Sequence, residues 1–213
     1  MRTTAKRLVV LGFVAFSVGC SQGSSTSGVE DRGEGPPVVA KTKVLPPSGT
    51  SQTLSVASGK AKSLGRTLAL GHAIHPGRAV RWPSRVVSVS TNEPWARNAA
   101  HLWVQKGFHF RMGTGKQIVF MGYSTARNAV GWSKFDYRGG KITQCRIWIN
   151  PTYLRRYDIA NTFAHEIGHC LGLGRGHIGV RGTLMSKYGG NRIAPQTVAM
   201  FNYLYSVKPG ARL

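Results

Sequence analysis

The pentapeptide His165-Glu166-Ile167-Gly168-His169 restricts the local backbone more than any other stretch of this chain. On an α-helix, residues i and i+4 stand about 40° apart around the axis, so both imidazoles can reach one ion. Phe163, Ala164, Ile167 and Leu171 supply an apolar helical context around them. Two neutral imidazole nitrogens suit zinc. Glu166 projects from the neighbouring face, beside such an ion, where a carboxylate can take a proton from a zinc-activated water and hand it to a leaving amine. The alternative is a chance pentapeptide on a core helix.

A catalytic zinc needs a third protein ligand and one open position. No Asp or Glu follows Glu166, and His177 is the one histidine downstream of His169. Cys170 points about 100° away from His169 around a helix and is a poor ligand. His177 is therefore the preferred third ligand, with Gly172, Gly174 and Gly176 letting the chain turn back. Glu93, Asp136 and Asp158 remain upstream alternatives.

The surrounding pattern predicts strands at residues 79–82, 86–89, 108–111, 117–121 and 142–149. A helix starts at Asn92-Glu93-Pro94 and stops at Gly107, with Trp95, Ala99, Leu102 and Trp103 on its apolar face. Asp158 or Asn161 caps the motif helix, which runs through Leu171. Residues 194–205 form a closing amphipathic helix, and Gly113-Thr114-Gly115 and Gly139-Gly140 make turns. Strands followed by helices predict an α+β domain over residues 78–213.

Upstream the chain changes character. Arg2, Lys6 and Arg7 precede an apolar stretch of 11 residues, 8–18, which is short of the roughly 18 residues a membrane-spanning helix needs. It has the form of an export signal over residues 1–19. Gly19-Cys20 resembles the lipobox of bacterial lipoproteins, whose Cys is lipidated after cleavage, although Ser17 stands where that pattern carries Leu. An exported chain, anchored to the cell envelope through Cys20 or secreted, is expected. Residues 20–77 are rich in Ser, Gly and Pro, including Pro36-Pro37 and Pro46-Pro47, and read as a flexible tether or a pro-segment. A short helix over 64–74 would fit within it.

His165-Glu166-Ile167-Gly168-His169-Cys170-Leu171-Gly172, with Gly174 and His177 after it, resembles the H-E-x-x-H-x-x-G-x-x-H zinc site of the metzincin metallopeptidases. Gly182-Thr183-Leu184-Met185-Ser186 resembles their Met-turn, in which a methionine forms an apolar floor below the metal. The matrixin (matrix metalloproteinase-like) branch is the nearest, with Arg81, Trp82 and Pro83 resembling its first strand and the final helix ending in Leu204-Tyr205. The similarity spans residues 78–206. It implies a zincin-like α+β fold: a twisted mixed sheet packed on helices, with a zinc helix, Met-turn and C-terminal helix. It also implies a zinc endopeptidase with one catalytic Zn2+ on His165, His169 and His177, Glu166 as general base and acid, and Met185 below. The strand over 142–149 resembles the family's edge strand, on which an extended substrate lies.

The chain departs from that pattern in three ways. The third histidine of the family falls at Arg175, so His177 implies a two-residue insertion. The domain has only Glu93, Asp136 and Asp158 besides Glu166, so family-like calcium sites, which need several oxygen ligands, are not expected. No P-R-C-G latch segment occurs. Tyr188 lies three residues beyond Met185 and is read as packing.

If Cys20 is lipidated, Cys145 and Cys170 remain as a pair that a bridge would join; the alternative is two buried thiols. The net charge is +22, and from Arg78 onward 20 Lys and Arg face four acids. That field favours acidic peptide substrates, anionic surface polymers and lipid headgroups. No nucleic-acid motif is present, so specific nucleic-acid recognition is not expected. A monomer is expected, with membrane contact only through the lipid. Two rival functions are a non-catalytic zinc-binding relative that holds anionic partners at the cell surface, and a cell-wall peptide hydrolase.

Overall fold

Short runs rich in β-branched and aromatic residues build a five-stranded sheet. Its strands are β1 (Val86–Ser90), β2 (His109–Met112), β3 (Ile118–Tyr123), β4 (Gly131–Arg138) and β5 (Lys141–Ile149), in the order β2-β1-β3-β5-β4. The first four in that order run parallel, and β4 closes one edge antiparallel to β5. The helices are α1 (Ser51–His72), α2 (Trp95–Val104), α3 (Ile159–Cys170) and α4 (Pro195–Ser206); β6 (Gly182–Thr183) and β7 (Gly190–Arg192) form a small second sheet. The computed structural model describes residues 51–113, 115–153, 159–174, 176–178, 181–187 and 189–213. The export signal, Cys20, Asp158, Arg175 and Tyr188 lie outside them. The described chain is thus a mixed α/β structure with a mixed sheet.

The core forms where α2 and α3 cover one face of the sheet. Val87, Val89, Ile118, Cys145, Ile147 and Ile149 point into it and meet Ala96, Ala99 and Trp103 of α2 and Phe163, Ala164 and Ile167 of α3. Trp103, Phe108 and Phe201 pack edge to face at 5.4–6.2 Å, which joins α4 to the same core. The β4–β5 hairpin turns on Gly139 (φ 57°) and Gly140 (φ 78°), the two left-handed positions a tight hairpin demands.

Four expectations change. Residues 79–82 form no strand: Arg81 makes an isolated bridge to Lys141, while Ala79 bonds to Gly210 and Ala211 of the C-terminal segment instead of continuing that pairing; the buried Arg81 guanidinium is engaged by the carbonyls of Trp82, Pro83 and Val207. The first strand is β1. The strand over 142–149 is internal, and the edge is β4, which the sequence reading passed over. Asn161 lies inside α3 rather than capping it. The segment read as a tether or pro-segment, with a short helix over 64–74, contains the longer α1, which packs along α4, so the packed unit extends upstream of residue 78.

Candidate metal centre

Three aromatic donors fix the backbone of α3 and the residue that follows it. Trp103 Nε1 donates to the Ala164 carbonyl at 2.8 Å, Trp82 Nε1 to that of Cys170 at 2.9 Å, and the Tyr205 hydroxyl to that of Leu171 at 2.9 Å. A Cys145–Cys170 disulfide ties the end of α3 to β5. His165, Glu166 and His169 therefore project from a braced helix.

His165 Nδ1 lies 2.5 Å from the Leu184 carbonyl and His169 Nδ1 lies 2.6 Å from the Leu173 carbonyl. A carbonyl only accepts, so each Nδ1 carries the hydrogen and each Nε2 presents a lone pair. The two Nε2 atoms are 3.2 Å apart. Two lone pairs so placed repel rather than bond, and a shared cation removes the repulsion. Tetrahedral zinc with bonds of about 2.0–2.1 Å separates its ligand atoms by about 3.3–3.4 Å, so the spacing fits. His177 completes the group: its ring centroid is 5.1 Å from that of His165 and 5.7 Å from that of His169. One nitrogen from each of the three lies within 4.8 Å of the others.

Burial holds all three rings toward the neutral form that metal binding needs. It lowers the His165 pKa to about 4, with the nearby His177 pulling in the same direction and the Leu184 carbonyl opposing. His169 is lowered well below its ordinary value by burial and the nearby His165, and His177 is lowered by burial and by the charges of Lys187 and His72.

Glu166 is 5% exposed, and burial pushes its carboxyl up to about 8 against the opposing hydrogen bond from the Ser133 side chain. Gly131 of the edge strand sits directly over it: a Cβ there would lie 3.2 Å from both Cγ and Oε1 of Glu166. The edge strand thus covers the carboxylate, on the helix that carries His165 and His169.

Met185 is fully buried against α3, where a Cβ on Gly168 would come within 2.4 Å of its Sδ. The carbonyl of Leu184, its neighbour, is the one holding His165. Asp136 is turned to Arg146 in an ion pair, and neither it nor Glu93 belongs to the histidine group. Sequence reasoning missed Ser133, Gly131 and the carbonyls of Leu173 and Leu184. Backbone acceptors leave no signal in residue identity, and Ser133 lies in the strand that went unread.

No family model matches the chain, and no curated protein matches it. A chain of the solved structure described as the GM1 bound form of the ECX AB5 holotoxin is similar at 15% identity and a TM-score of 0.35, over 65% of this chain and 82% of that one. A likeness this weak carries no inference about activity.

Proposed function

We propose that the protein is a zinc-dependent endopeptidase of metzincin type with a zincin-like fold. The observation that carries this is the convergence of three imidazoles, two of them with Nε2 atoms 3.2 Å apart, beside a buried glutamate on the same helix. His165, His169 and His177 would hold the ion. Zinc bound there would polarise the scissile carbonyl, lower the pKa of a water toward about 7 and keep Glu166 ionised.

The protein's own groups do the rest. Glu166 takes a proton from the attacking water and returns it to the leaving nitrogen. Ser133 and Gly131 restrict where its carboxylate can sit. The outer edge of β4 offers backbone N–H and C=O groups to an extended peptide next to that carboxylate. The cationic surface favours acidic substrates.

Zinc content and cleavage of an unstructured protein substrate by the wild type and Glu166→Gln test this reading. About one zinc per chain in both proteins is expected, with cleavage reduced by roughly 10²- to 10⁴-fold in the variant. Equal cleavage by the two, or zinc without cleavage in the wild type, overturns it.

A further inference from the structure

The segment ahead of the compact domain is built into the metal centre. At Gly65 of α1 a Cβ would lie 2.4 Å from the Ala199 carbonyl oxygen and 2.8 Å from Tyr203 Cβ, so α1 and α4 meet almost backbone to backbone. Ala69, one turn on, is fully buried in the same core. Past its end, the chain runs antiparallel to the loop that follows α3. Ile74 N–H donates to the Gly172 carbonyl at 3.2 Å, Gly174 N–H donates to the His72 carbonyl at 2.9 Å, and Ala73 bridges Leu173. The fit is tight: a Cβ on Gly174 would come within 2.3 Å of Ile74 Cα.

The clamped loop sets two ligands. Leu173, which pairs with Ala73, supplies the carbonyl that holds His169 Nδ1. Gly174, bonded to His72, precedes His177 by three residues.

We infer that residues 65–74 are a positioning strap for the metal centre, anchored on α4 through Gly65 and fixing His169 and His177 through the loop at 172–174. The strap is part of the working unit, so cleavage that removed it would disable the site rather than unmask it. This rests on the endopeptidase reading for the role of the metal, but the strap's docking can be measured separately.

The test uses the full chain. Gly65→Leu forces α1 from α4, and Gly174→Val forces the loop from Ile74. Gly59→Ala, on α1 ahead of the strap with nothing within 4 Å of the added carbon, is the control. Cobalt(II) titration reads metal affinity and the ligand-field spectrum, and amide exchange reads docking. Both disruptive variants are expected to bind cobalt about 10- to 100-fold more weakly, the size seen when the partners of metal ligands are lost. Their spectra should shift toward that of His177→Ala, with the amides of α3 still protected. Gly59→Ala should match the wild type.

Wild-type affinity in Gly65→Leu, with α1 amides exchanging freely, overturns the strap alone. If the variants fail to fold, exchange in the wild type decides: the amides of Ile74 and Gly174 should be as protected as those of α3, and free exchange there overturns the strap. A wild type that binds no metal overturns the endopeptidase reading, and the same amides then report whether the clamp exists.

Discussion

Gly168→Ala sets helix propensity against packing at the metal centre. Gly168 lies in the last turn of α3 between the two motif histidines, and alanine ordinarily gains up to about 1 kcal/mol over glycine in a helix. Here the added carbon would stand 2.4 Å from Met185 Sδ, 2.8 Å from Met185 Cε and 2.7 Å from Trp103 Cζ2. Trp103 is fully buried and cannot yield, because its indole is bonded to the Ala164 carbonyl of the same helix. The strain falls on Met185, and through it on the Leu184 carbonyl that orients His165. Overpacking of this kind costs about 1–3 kcal/mol, so the expected net loss is about 1 kcal/mol, or roughly 2–4 °C in melting temperature. Metal affinity should fall with it. Thermal unfolding of the metal-free protein and cobalt titration measure both. A Gly168→Ala protein that melts higher than the wild type and binds cobalt equally well would refute the claim that Met185 forms a rigid floor under α3.

Three further outcomes are expected. Gly131→Ala presses on Glu166 and on Thr162 Cγ2, 2.8 Å from the new carbon; kcat should drop at least about tenfold with zinc content unchanged, and unaltered kcat would separate the edge strand from the chemistry. The metal-free protein should melt highest near pH 6.5. Below that, the unfolded chain takes up protons on histidines whose native pKa is lowered, to about 4 for His165; above it, the unfolded chain releases the proton that native Glu166 keeps to about pH 8. A melting temperature still rising from pH 6.5 to 8 would contradict this. Reducing the Cys145–Cys170 bridge, which spans 25 residues, should cost about 3 kcal/mol and lower the melting temperature by roughly 6–12 °C. An unchanged melt with both thiols shown to be free would count against it.

The motif helix α3 and the ends of α2 were legible because each had a local cause: two histidines at helical spacing, Pro94 before the first turn and Gly107 after the last. The Gly139-Gly140 turn was legible for the same reason. The edge strand β4 was not. Trp132 lies on one face and Phe135 and Tyr137 on the other, every position but the last is half-buried, and an irregularity between Asp136 and Tyr137 breaks the alternation. Without a clean period of two, nothing separated it from a loop. The helix α1 was legible only in its second half, as the short helix over 64–74; Ser and Gly content masked its earlier turns. Its small residues are what let it approach α4, a helix more than 120 residues further along, and no local pattern records that partner. The third histidine of the group, His177, was singled out by elimination, but the loop ahead of it pairs with Ala73 and Ile74, which a composition-based boundary at residue 78 left outside the domain.

Anomalous scattering at the zinc edge, from crystals of the full chain grown with zinc, tests the central claim most directly. One strong peak is predicted, about 2.0–2.1 Å from Nε2 of His165, Nε2 of His169 and a ring nitrogen of His177, with Glu166 outside the ligand set. No peak among the three rings, or a zinc held by the first two with His177 turned away and no other side chain in its place, would contradict the account.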